Sequence, residues 1–171
     1  EQSDALEAKL NQTQEKDEYK CFIIMRCWNP RAEDVIKDVQ LYSPDEIVLM
    51  PLYPQYSAAT SGSSIKEWKD VCRKNNYHVK TSTICCYPTD QNFINAHTKE
   101  IIKKIKDIKN FKLIFSAHGL PEKNIKKGDP YQWQVEQSVK KIVENLNDEN
   151  LDWILSYQSR VGPLKWIGPS T

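Results

Sequence analysis

Short apolar runs alternate with longer stretches in which apolar residues recur at helical spacing. The runs Cys21 to Met25, Ile47 to Met50, Val79 to Cys85, Leu113 to Phe115 and Trp153 to Leu155 have the length of strands. The first, second and fourth lack polar alternation, which predicts parallel strands buried between other elements. Ala32, Val35, Ile36 and Val39 mark one helical face, and Ile65, Trp68 and Cys72 a second. A third joins Ile94, Ile101, Ile105 and Ile108, and a fourth joins Val135, Val139, Ile142 and Leu146. Strand and helix in alternation predict an α/β fold, a doubly wound parallel sheet flanked by helices.

Residues 1–17 read as a polar, helix-like piece with little to bury. The lysines between Lys99 and Lys109 form the solvated side of a helix whose isoleucines face inward. No repeat at solenoid spacing and no low-complexity linker interrupts the chain.

Composition narrows the function classes. A chain of 171 residues can build one ordinary domain core. Lys and Arg number 24 against 23 Asp and Glu, so no charge excess points to nucleic acid. No run approaches the ~18 apolar residues of a membrane span, and the polar start is unlike a signal peptide. Five cysteines without a C-x-x-C pair suit reduced thiols in the cytoplasm better than a disulfide framework. Adjacent Cys85 and Cys86 fit a redox pair or metal ligands, but read more simply as buried thiols at a strand end. A first residue other than Met and a stop just after Gly168-Pro169 suggest a segment of a longer protein.

The loops after the predicted strands carry the candidate chemistry, because open α/β sheets bind ligands at the carboxyl ends of their strands. Ser116-Ala117-His118-Gly119-Leu120-Pro121 follows one such strand and presents an imidazole, a reactive group or else a simple helix cap. Arg26-Cys27-Trp28-Asn29-Pro30 sets a cation beside an indole, either a clamp for a flat anionic ligand or a structural pair. The hydroxyl-rich stretch Tyr53 to Ser64 fits an anion site at a helix start, or a capping box of Ser63 or Ser64 with Glu67. Asp129 can cap a helix opened by Pro130. Gln158 to Pro169 brings a second Arg and Trp among Gly and Pro.

Tyr53-Pro54-Gln55-Tyr56-Ser57, the His118 hexapeptide, Gly128-Asp129-Pro130-Tyr131 and Gln158-Ser159-Arg160-Val161-Gly162-Pro163-Leu164-Lys165-Trp166-Ile167-Gly168-Pro169 occur in the order seen in ferrochelatases. From about Tyr19 to Thr171 the chain resembles the middle of a ferrochelatase of bacterial type. That resemblance implies a lyase of haem biosynthesis that inserts ferrous iron into protoporphyrin IX. Its fold would be Rossmann-like, with incomplete parts of two similar lobes: a polar lead-in over 1–18, the second half of one lobe over 19–88, a connecting helix over 89–110, and the start of the other lobe over 111–171.

By the same resemblance His118 takes pyrrole protons or ligates the iron. Arg26 lies deep in the cleft, Trp166 packs on the macrocycle, and Tyr56 and Ser64 belong to the loop that lines it. Asp90 falls at a position linked to acid–base work. Family members commonly read Arg-Tyr-Trp-His-Pro where this chain has Cys27 and Asn29, and iron–sulfur members place a cluster cysteine where it has Ala58; no cluster is expected. The N-terminal lip and the glutamate that pairs with the catalytic histidine would lie outside residues 1–171, so the isolated chain is expected to be weakly active or inactive. Peripheral membrane contact would belong to the full-length protein. A non-catalytic tetrapyrrole-binding module on the same fold is the competing expectation, and a two-lobed secreted binding protein is a more distant one.

Overall fold

Two strand–helix–strand crossovers, one in each of two units, carry the architecture. The computed structural model describes residues 1–12 and 17–171. One unit comprises Glu1–Met50 and Gly62–Thr83, the other Pro51–Ser61 and Ile84–Thr171. The lead-in predicted over 1–18 includes residues 13–16, which lie outside the described residues.

In the first unit, α1 (Gln2–Leu10) buries nothing, α2 (Ala32–Tyr42) leads to β1 (Glu46–Leu49), and α3 (Ser61–Lys74) crosses to β2 (Lys80–Thr83). The strands pair in parallel, Glu46 beside Lys80 through Leu49 beside Thr83. Ala32, Val35, Ile36 and Val39 of α2 pack with Trp68 and Val71 of α3, and Phe22, Ile24, Ile47 and Leu49 close over them. Burying each large side chain contributes about 1.5–3 kcal/mol, so this cluster is what holds the unit together.

The run Cys21 to Met25 half-buries Phe22 and Ile24 in alternation with exposed Ile23 and Met25, yet it forms no strand. Its backbone groups are engaged elsewhere. The Cys21 amide donates to Glu7 Oε2 at 2.7 Å and the Met25 amide to the Pro30 carbonyl, while Tyr19, just ahead of the run, exchanges bonds with the Asn11 side chain. A ladder needs those donors free. Likewise β2 spans only Lys80–Thr83, and all four of its side chains are exposed.

The second unit runs α4 (Gln91–Ile105), β3 (Leu113–His118), α5 (Glu122–Lys126), α6 (Tyr131–Leu146) and β4 (Trp153–Gln158). Here six residue pairs align in parallel, from Leu113 beside Trp153 to His118 beside Gln158. Val135 and Val139 of α6 pack on Tyr157 and Ile167 with Phe115, Ala117 and Leu120 around them. α4 lies along α6, where Asn145 Nδ2 donates to Thr98 Oγ1 at 3.1 Å. It ends at Ile105, leaving Ile108 in a turn and exposed instead of on the inward face. The lysines from Lys99 to Lys109 are exposed.

The parallel sheets and flanking helices agree with the α/β expectation, but burial from both sides does not. Val48 and Ile114 are each 55 % exposed, because the described helices cover one face of each sheet. Among the described residues no helix is long and apolar enough to cross a membrane.

Candidate active site

His118 is the last residue of β3, its imidazole exposed at the carboxyl end of the strand. The main chain beneath it is held firmly. Tyr131 Oη donates to the His118 carbonyl at 2.9 Å, and burial pushes that phenol above the ordinary tyrosine range. The next amide, Gly119, donates to the Gln158 carbonyl at 2.8 Å and so carries the ladder one step past the strand. A side chain at 119 has no room: its Cβ would stand 2.9 Å from the Gln158 carbonyl oxygen and 3.3 Å from Trp166 Cε3. Glycine there permits the indole to close against the histidine turn.

Trp166 is fixed by three bonds along its own segment. Ile167 N donates to Leu120 O at 3.0 Å, Glu122 N to Lys165 O at 2.9 Å, and the indole N–H to Val161 O at 3.1 Å. Lys165 Nζ also sits 3.1 Å from the Glu122 carboxylate, whose pKa is held below the ordinary range chiefly by that contact. His118 and Trp166 are thus brought to one turn with their backbones set.

The Tyr53–Ser57 loop is anchored in the same unit. Ser57 Oγ and Ala58 N donate to Asp129 Oδ2 at 2.8 and 2.9 Å, and Tyr131 N donates to Asp129 Oδ1 at 3.1 Å. One carboxylate therefore joins the Tyr-Ser loop to the start of α6. Gly128, at φ +92°, makes the left-handed turn that delivers it. Buried Gln134 accepts the Tyr56 amide at 2.6 Å, Gln55 donates to buried Ser138 at 2.8 Å, and the Tyr87 amide donates to the Pro54 carbonyl at 2.8 Å. Tyr56 presents a half-buried phenol on a backbone that these bonds hold in place.

Arg26 and Ser64 belong to the first unit. Arg26 is exposed, and its Nε lies 3.4 Å from Glu67 Oε2, while Arg31 Nε donates to Glu67 Oε1 at 2.9 Å. The expected pairing of Glu67 with Ser63 or Ser64 in a capping box is corrected: α3 begins at Ser61, which places both serines inside its first turn. Ser64 is half-buried there. A cavity of about 530 Å³ in this unit, between Trp68, Tyr77 and Lys80, includes none of the predicted site residues.

Asp90 caps α4, accepting the amides of Asn92 and Phe93, both at 3.0 Å. Cys85 and Cys86 are corrected as well: they lie beyond β2 in irregular chain, Cys85 exposed and Cys86 half-buried. Asp129 was legible as a helix cap, but its hold on Ser57 and Ala58 was not. Gln134 gave no signal, being one polar residue within a helical pattern. Among the described residues no three His, Cys, Asp or Glu gather as a metal cluster.

The ferrochelatase family model matches residues 1–171. The chain is 89% identical over 170 residues to a ferrochelatase of Pelagibacter ubique, covering 99% of this chain and 49% of that protein. It is 47% identical over 172 residues to a ferrochelatase of Rickettsia felis, covering 100% and 49% respectively. A Wolbachia ferrochelatase is 47% identical over 173 residues, covering 99% and 55%. The chain spans about half the length of these curated relatives.

Proposed function

The chain belongs to the ferrochelatase family, and from that premise we propose that its parent protein inserts ferrous iron into protoporphyrin IX, with His118 as the pyrrole-proton acceptor or iron ligand. The observation that carries the reading is an exposed imidazole at the end of β3 on a main chain held by Tyr131 and Gly119, with the Trp166 ring packed against Gly119.

Metallation replaces two pyrrole N–H protons of the macrocycle with one ferrous ion, so two protons must leave. Neutral imidazole can accept a proton near neutral pH or donate its nitrogen lone pair to ferrous iron, but one nitrogen cannot do both together. A single histidine is a poor iron site alone; the ring nitrogens supply the remaining donors. Trp166 offers an aromatic face for the macrocycle, and Tyr56 a phenol on a pre-set loop. The family resemblance also assigns porphyrin contacts to Arg26 and Ser64. Ala58 has no metal-binding side chain and its amide is engaged by Asp129, in keeping with a protein without an iron–sulfur cluster. We assign the activity to the full-length protein, working in the cytoplasm with peripheral membrane contact, and expect the isolated chain to be weakly active at most.

The test is His118→Ala in the full-length protein, measuring ferrous or zinc insertion into protoporphyrin alongside porphyrin binding by fluorescence quenching. Insertion should fall about 100-fold or more while porphyrin still binds, the loss expected for a positioned proton acceptor. Insertion at the unsubstituted rate would remove His118 from the chemistry. Porphyrin binding without insertion by the unsubstituted full-length protein would favour a tetrapyrrole-binding module.

A further inference from the structure

Cys85 and Cys86 take no part in the proposed metallation, and their arrangement suits a different ligand. Beyond β2 the chain carries both thiols to one side, Sγ to Sγ at 3.0 Å. Cys86 Sγ also accepts a hydrogen bond from Gln134 Nε2 at 3.5 Å. Cys85 is open to solvent, and its proton is held more tightly than in an ordinary thiol, first by the hydrogen bond to Cys86 and then by burial.

We infer that Cys85 and Cys86 form a bidentate site for a soft trivalent arsenical. Two sulfurs make a soft donor set. Zinc would need four ligands, and among the described residues no third His, Cys, Asp or Glu joins them. A two-coordinate cuprous ion prefers sulfurs on opposite sides of the metal, whereas these touch on one side. Trivalent arsenic is pyramidal: it takes two sulfurs on one side and brings its third substituent with it.

The reaction balances without an oxidant or reductant. An organoarsenous acid exchanges its two hydroxyls for two thiolates; two S–H and two As–O bonds break, two As–S bonds form, and the protons leave in two waters. Arsenic stays trivalent throughout. Cys85, the more accessible, reacts first, and closure on Cys86 displaces the Gln134 amide. The other cysteines do not compete on these terms, because the contact between two sulfurs is described for Cys85 and Cys86 and none is described for Cys21, Cys27 or Cys72.

The experiment uses the reduced full-length protein with phenylarsine oxide as the probe. One equivalent should bind and protect two thiols from a chromogenic disulfide, and peptide mapping should place the adduct on the segment holding Cys85 and Cys86. A dithiol should release it where an equal concentration of monothiol does not. Cys85→Ser or Cys86→Ser should each weaken retention about 100-fold, the scale expected when a linked second contact is lost, while Cys27→Ser should leave it unchanged. An adduct mapped elsewhere, or release by the monothiol, would overturn the site. Mapping on the unsubstituted protein decides the matter even if a serine variant fails to fold.

Discussion

In the first unit one carboxylate serves as a gathering point: Glu67 meets two half-exposed arginines, Arg26 and Arg31. In the second that part falls to Asp129, which takes a buried hydroxyl and two backbone amides. Both are single carboxylates serving loops, but their surroundings give them different weight. The pairs at Glu67 end on half-exposed guanidinium groups, so they are screened and contribute little, although the carboxylate itself is only 15 % exposed. A carboxylate that accepts from backbone amides and a buried serine cannot be replaced by water at the same geometry, and its loss strands those donors. The first unit relies on its apolar α2–α3 cluster and ties its Arg26 loop through the Met25–Pro30 backbone bond and the ion pairs to Glu67. The second fixes the loops around His118 through hydrogen bonds that set backbone position.

The contrast can be broken most sharply at Asp129. Asp129→Ala should destabilise the second unit by about 2–4 kcal/mol, from stranded donors and lost charge-assisted bonds. Hydrogen exchange should quicken at Ala58 and Tyr131 and stay unchanged in α2. Unchanged protection at those two amides would remove the distinction between the units.

Tyr157 offers a test of opposite sign. Its hydroxyl is buried without a partner among the described residues, and burial, followed by Glu136 and Tyr131, drives its pKa well above the ordinary tyrosine value. The folded state therefore keeps a proton that the unfolded state gives up. The stability linked to it is complete below the unfolded pKa of about 10 and is lost as pH climbs from there toward the folded value. Tyr157→Phe should leave the protein as stable or gain about 1–2 kcal/mol at neutral pH, since it removes an unsatisfied polar atom, and should flatten the alkaline limb of urea midpoint against pH. A clear loss of stability at pH 7 would mean that the hydroxyl has a partner.

Glu67→Gln should change least, by about 1 kcal/mol or less, with the difference fading at high salt. A larger, salt-independent loss would make Glu67 a true counterpart of Asp129.

Local pattern revealed the elements whose causes are local. The faces of α2 and α6 and the position of His118 at a strand end follow from spacings within one helix or one run. Cys21 to Met25 has the burial rhythm of a strand, but the Glu7 side chain that takes the Cys21 amide leaves no trace in that rhythm. The hydroxyls of the Tyr-Ser loop looked available for an anion, and Ser57 proved committed to Asp129. Gln134 is harder still, because its partners Tyr56 and Cys86 lie 78 and 48 residues away. Contacts of that reach are properties of topology, which short windows do not contain.

The Ser57–Asp129 bond also has a place in time. Its partners are 72 residues apart, so on a ribosome adding about 5–20 residues per second the serine waits roughly 4–14 s for its aspartate to be made. Through that interval the Tyr-Ser loop lacks its principal clamp, while the short-range helices beside it can already form. The geometry on which the proposed porphyrin contact depends is thus completed later than the helices beside it.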